Sequence, residues 1–260
     1  MSNSRRVVLY IDSLKLGGAE RVTLTWAAWL QQAGWKPIVL TRKSIGWDFY
    51  PLPAGVERVV EPADAPWMHR LGPLAFPFRV RRLQRWLDGQ NVGLAIGVTS
   101  LPAIKLLLAT RLLGVPCVVS ERNFPPSKRI GRIWSVLRRL SYPWAGLHLV
   151  QTQAVGEWMK THLGAHRQLL LPNPVQWPLT RFHPSLDPQA WLCPPAVEAF
   201  ERAIEAALAG AGPSLEQRLE RAATQTYEAR TSSMLSYLER VGLLPVAQFN
   251  PVDSFCGEKL

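Results

Sequence analysis

Between residues 7 and 171 the sequence alternates short apolar, β-branched runs with stretches of helical spacing, and this rhythm sets the strongest limit on the fold. Residues 7–11 (VVLYI) form a run that ends in a polar, glycine-containing turn. From residue 20, Val22, Trp26, Leu30 and Ala33 then recur on one helical face until Gly34 stops them. Residues 37–40 follow as the next strand, which makes a strand–helix–strand unit with a parallel crossover. The pattern continues with strands expected at 56–60, 92–98, 115–120, 147–152 and 168–171. Helices are expected over 101–113, 129–140 and from 152 to about 163. Strands that are apolar on both faces and separated by helices predict an α/β doubly wound parallel sheet covered on both sides. In such a sheet, ligands bind at the carboxyl ends of the strands, which directs attention to the loops after residues 11, 98, 120 and 152.

The rhythm stops at about residue 175. Residues 176–195 contain five prolines without a period and read as a linker. Beyond it no strand run is visible, and residues 196–260 read as a short helical segment. Val197, Ile204 and Leu208 share one helix face there, and Ser214 with Gln217 has the form of a capping box at the start of a longer helix. Charge divides the chain in nearly the same place. Residues 1–180 hold 23 basic and 9 acidic groups, against 7 and 10 in residues 181–260, and ten of the eleven tryptophans lie in the basic part.

Several classes are excluded by what is absent. Three distant cysteines, Cys117, Cys193 and Cys256, suggest neither a disulfide framework nor a C-x-x-C site and fit a reducing compartment. The opening apolar run is too short for a signal peptide. The most apolar stretch, 93–119, is broken by Lys105, Arg111, Pro102 and Pro116, so any membrane contact is expected from the surface. No D-x-D or H-E-x-x-H pattern occurs, so neither a metal nor another cofactor is expected. The basic balance comes without a helix-turn-helix, zinc or RNA-recognition signature, so no nucleic-acid partner is expected.

Two loops can hold chemistry. The first, residues 12–21 (DSLKLGGAER), joins a strand to a helix. Gly17 and Gly18 permit close backbone approach and positive φ, and the free N–H groups of the helix start can face a phosphate. A plain tight turn explains the same residues. The second loop sets Ser120, Glu121, Arg122 and Asn123 at a strand end, where they can orient a sugar hydroxyl or a phosphate, or simply form a strand-end ion pair.

Four blocks, LKLGGAERVTLTWAAWLQQAGWKPIVLT, VVSERNFP, LVQTQAVGEWM and LPNPV, occur in an order and at intervals that resemble the amino-terminal domain of the family 4 retaining glycosyltransferases of the GT-B fold, over residues 5–175. The resemblance implies a Rossmann-like domain, residues 1–175, and metal-independent transfer of a sugar from a nucleotide-sugar donor. The acceptor it implies is lipid-linked or a polysaccharide, in bacterial cell-surface glycan assembly. Gly17 and Gly18 would lie under the donor's diphosphate and sugar, with Glu20 at the adjoining helix start. Glu121 would take a position near the transferred sugar that is often histidine in other branches, with Arg122 and Asn123 beside it as catalytic residues. The second nucleotide-binding domain that such enzymes carry is not recognisable after residue 175. Glu220 and Glu228 match the spacing of its paired glutamates but lack the glycine loop, and residues 196–260 resemble only its closing helices. A shortened enzyme is therefore expected, or an inactive acceptor-binding or regulatory remnant.

Two basic stretches bear on partners. In residues 67–87, Phe76, Val80, Leu83 and Leu87 alternate with Arg79, Arg82 and Arg85. In residues 129–144, Ile130, Ile133, Trp134 and Leu137 form a stripe flanked by Arg129, Arg132, Arg138 and Arg139. Each reads equally as a sheet-covering helix or as an amphipathic helix lying in an anionic interface. Together they lead to the expectation of a cytoplasmic protein held peripherally on the inner face of the cell membrane.

Overall fold

The structure is a computed structural model and describes residues 4–127, 130–172 and 227–243. Seven parallel strands form one sheet in the order β3-β2-β1-β4-β5-β6-β7. They are β1 (Arg6–Ile11), β2 (Lys36–Thr41), β3 (Glu57–Val60), β4 (Leu94–Val98), β5 (Cys117–Ser120), β6 (Leu147–Val150) and β7 (Gln168–Leu170). The helices are α1 (Gly18–Gln32), α2 (Pro66–Leu71), α3 (Phe76–Gly89), α4 (Ser100–Thr110), α5 (Arg132–Ser141), α6 (Gln153–Leu163) and α7 (Tyr227–Arg240). The doubly wound sheet expected from the periodicity is what the chain forms.

The central strands are buried on both faces. Val8, Tyr10, Ile38, Leu40, Ala95 and Val119 pack with Leu83, Leu87, Ile104, Leu107 and Met159 from the helices on one side. Val7, Leu9, Ile11, Val39, Leu94 and Ile96 are buried on the alternate positions. On the first side α3, α4, α5 and α6 stand next to one another in that order, while α1 packs on β1 and β2. Right-handed crossovers require this division. The chain moves from β1 outward to β3, then returns across the sheet to β4 and continues to β7, so its connections change face at β1/β4. Gly97 lets β4 and α4 come close, because a Cβ there would lie 2.6 Å from the Ala103 Cα.

The chain divides into a unit of residues 1–173 with 231–260 and a second unit of residues 174–230. Within the first, Met234 and Leu238 of α7 are fully buried, and Leu243 lies against Gly146. The end of the segment read as a separate helical piece therefore belongs with the sheet. The proline-rich linker, the helix through Val197 and Leu208, the capping box at Ser214 and Gln217, Glu220, the Glu228 side chain, Cys193 and Cys256 lie outside the described residues.

Candidate functional site at the β1/β4 switch point

Strand order reverses between β1 and β4, and the carboxyl edge of the sheet at such a reversal is where ligands bind; the two candidate loops follow β1 and β5 at that edge. The loop after β1 turns inward at Ser13 and Leu14, both buried, then outward through Lys15 and Leu16 to Gly17, which caps α1. It is fastened to the segment after β2. The Phe49 N–H donates to the Leu14 carbonyl at 2.8 Å and the Tyr50 hydroxyl to the Gly17 carbonyl at 3.2 Å. The Lys15 ammonium lies 3.6 Å from the centre of the Trp47 ring.

Neither glycine uses the positive φ that the sequence permits. Gly17 is extended, with φ 179°. Glu20, three positions into α1, folds back over it, and a Cβ on Gly17 would lie 2.2 Å from Glu20 Oε2, the free end of a side chain that can swing aside. A carboxylate over the first turn is the favourable charge for the positive end of the helix dipole. Gly18 differs, since a Cβ there meets nothing within 4 Å and the residue is exposed. Of the three residues assigned to the donor, Gly18 presents open backbone and Glu20 presents a charge that a phosphate would have to displace.

On the β4 side of the switch point, Thr99 joins β4 to α4 with φ 67° and ψ 165°. Only glycine adopts this region readily, and a β-branched residue held there stores about 1–3 kcal/mol. Its N–H donates to the Ser120 carbonyl at 2.9 Å and its carbonyl accepts from Ala103 at 3.1 Å, which fixes the turn. The Ser100 hydroxyl then donates to Glu121 Oε1 at 2.6 Å, and the Tyr142 hydroxyl to Glu121 Oε2, also at 2.6 Å. Glu121 is 1% exposed. Both carboxylate oxygens are thus held by the protein, and burial together with Glu121 raises the Tyr142 phenol well above its ordinary 10.

The three residues assigned to catalysis have different surroundings. Glu121 is enclosed and braces the end of β5 against the start of α4 and the residue after α5. Arg122 is buried with its guanidinium 5.3 Å from the centre of the Trp26 ring, which ties the β5 loop to α1. Asn123 is exposed. The structure therefore ties the β5 loop to the body of α1 through Arg122 and Trp26, and of the six assigned residues only Gly18 and Asn123 are exposed. Thr99, Ser100, Tyr142 and Trp26 are the residues that sequence reasoning misses. A Thr-Ser pair at a strand end is a visible signal, whereas nothing local marks Tyr142, 21 positions from its partner.

A second buried polar cluster follows β3. The Tyr10 hydroxyl donates to Glu61 Oε2 at 2.8 Å, Lys105 pairs with Glu61 Oε1, and Arg79 and Arg82 hold Asp64 at 2.7 and 3.0 Å. These pairs fasten the loop after β3 to α3 and α4. Among the described residues, no group of three His, Cys, Asp or Glu side chains gathers to hold a metal ion.

Comparison with known proteins agrees with this architecture. The chain is similar to the glycosyltransferase from Rickettsia africae ESF-5 at 14% identity and a TM-score of 0.50, over 82% of this chain and 51% of that one. It is similar to the lipopolysaccharide outer core galactosyltransferase WaaB, in its apo form, at 12% identity and a TM-score of 0.50, over 66% and 46%. The chain thus spans about half the length of these structures, and the likeness is one of fold. No curated protein matches the sequence. The profile of Glycosyltransferase Family 4 matches residues 16–176, from the Gly17–Gly18 loop past the end of β7. With more than half of its length matched, the chain belongs to Glycosyltransferase Family 4.

Proposed function

We propose that the chain takes part in transferring a sugar from a nucleotide-sugar donor to a lipid-linked or polysaccharide acceptor, with retention at the anomeric carbon and without a metal. The acceptor's hydroxyl oxygen bonds to the anomeric carbon, the bond from that carbon to the diphosphate breaks, and the hydroxyl proton passes to the leaving diphosphate. Most of the acceleration would come from positioning and from stabilising the leaving charge. The observation that carries this reading is the open backbone of Gly18 at the start of α1, on the loop that follows β1 in a Family 4 chain. Asn123 is placed to orient a sugar hydroxyl, and Arg122 acts through its stacking on Trp26. Glu121, enclosed by Ser100 and Tyr142, serves as a positioning residue.

The enclosure of Glu121 favours one alternative, an acceptor-binding protein of the same family without turnover. Support for a membrane-held acceptor comes from the net positive charge of residues 1–180. No described helix is long and apolar enough to cross a membrane, and attachment at the inner face of the membrane is part of the proposal. The test uses a panel of radiolabelled nucleoside diphosphate sugars with a membrane lipid extract as acceptor. Transfer is expected, and Gly18→Ala should lower it about tenfold or more with thermal stability unchanged, because its Cβ touches only the space a phosphate would fill. If neither transfer nor hydrolysis appears with any donor, the enzymatic reading fails and the acceptor-binding one remains.

A further inference from the structure

Helix α5 carries two apolar faces. Trp134 and Leu137 pack inward against the core, and Arg138 is buried with its guanidinium 5.6 Å from the centre of the Trp158 ring. On the other side Ile133, Val136 and Leu140, at spacings of three and four, are 69, 58 and 59% exposed. A helix that covers a sheet needs one apolar stripe, so the outer stripe is left without a partner among the described residues. Phe76 meets Trp134 edge to face at 4.9 Å, so the start of α3 borders α5. That segment adds Leu74 and Phe78, 74 and 50% exposed, with Trp67 edge-on to Phe78 at 5.0 Å.

The charged residues of α2 and α5 have one sign. Arg132 and Arg139 flank the stripe and are exposed, as is Arg70 on α2, and neither α2 nor α5 contains an acidic residue. On α3, Arg79 and Arg82 are committed to Asp64, while Arg81 and Arg85 are exposed. Arg129, counted among the flanking charges from the sequence, lies outside the described residues.

We propose that the outer face of α5, bordered by Leu74 and Phe78, inserts into the interfacial zone of a bilayer that contains anionic lipid. The stripe enters among the acyl chains, and Arg132 and Arg139 lie at headgroup level. A second copy of this chain fits less well, because symmetric pairing of the stripe would bring like-charged arginines together. A lipid surface also demands no complementary shape of the stripe. The proposal rests on the proposed function only for the presence of a membrane-held acceptor, and it locates the contact on α5 instead of on net charge.

The test is flotation of the whole chain, without donor, with vesicles of phosphatidylcholine alone or mixed with phosphatidylglycerol. Binding to the anionic vesicles alone is expected. The combined variant Ile133→Ser, Val136→Ser and Leu140→Ser should lower partition by about a hundredfold or more. Arg132→Gln and Arg139→Gln should each lower it roughly fivefold. Leu170→Ser, equally exposed on β7, should leave it unchanged, and circular dichroism should report an intact fold for every variant. Equal binding to neutral vesicles, no binding, unchanged binding of the triple variant, or a dimer in sedimentation that the triple variant dissolves would each overturn the proposal. Sugar transfer is followed separately in detergent. Vesicle binding without transfer sinks the proposed function alone, and transfer without vesicle binding sinks the α5 surface alone.

Discussion

Acidification should destabilise the fold through His148, and the size of the effect follows from its surroundings. The ring lies on β6, 2% exposed, with Nδ1 3.3 Å from the Arg167 carbonyl and its centre 5.7 Å from that of Tyr142. Burial holds the imidazole down at about 4 from its ordinary 6.5, and the carbonyls of Arg167 and Tyr142 oppose that shift only in part. A depressed histidine is neutral in the native state at a pH where the unfolded chain is already protonated. The stability it contributes is therefore complete above 6.5 and is lost as the pH falls from 6.5 to about 4, below which both states are charged. Between pH 7.5 and pH 5 the loss amounts to about 2 kcal/mol, and over the whole window to about 3 kcal/mol. The other displaced groups work elsewhere: Asp64 is held below its ordinary 3.8 by Arg79 and Arg82, and Tyr10, Tyr142 and Cys117 are raised from 10, 10 and 9. Urea denaturation at half-unit steps from pH 7.5 to 4.5 measures the slope, and His148→Gln should flatten it. An equal slope in the variant would refute the assignment to His148. Because the ring packs on Tyr142, which braces Glu121, any donor binding should weaken over the same window.

Tyr142→Phe removes one of the two hydroxyls that hold the buried Glu121 carboxylate and should lower stability by about 1.5–3 kcal/mol, read from the midpoint of urea denaturation at an unchanged slope. Gly97→Ala places a methyl 2.6 Å from the Ala103 backbone and should destabilise by about 2–3 kcal/mol, whereas Gly18→Ala, facing open space, should not. A thermal melt of the two alanine variants side by side checks the contrast.

The parts of this fold that the sequence displays are those set by neighbouring residues. Each strand is a run of adjacent apolar side chains, so β1, β2, β5 and β6 fall within a residue or two of where alternation of strand and helix places them. The carboxyl-edge loops are legible for the same reason, because they are the polar gaps between such runs. What each loop residue does is decided by partners far along the chain. Glu121 reads as a reactive strand-end carboxylate until Ser100 and Tyr142, 21 positions away on either side, close over it. Glu61 attracts no notice in sequence because Tyr10 and Lys105 reach it from separations of 51 and 44 residues.

Helix α5 marks the limit of periodicity in another way. Ile130, Trp134 and Leu137 satisfy helical spacing, and so do Ile133, Val136 and Leu140, so the sequence contains two valid stripes and no rule for choosing between them. The sheet chooses. The first set packs on the core, and Arg138, read as a flanking surface charge, turns inward onto Trp158. On α3 the same process removes Arg79 and Arg82 from the surface by pairing them with Asp64. Arg81 and Arg85 of α3 stay exposed, as do Arg132 and Arg139 of α5, so both helices keep a basic surface. What sets α5 apart is that its exposed arginines flank an apolar stripe, Ile133, Val136 and Leu140, that no described element covers.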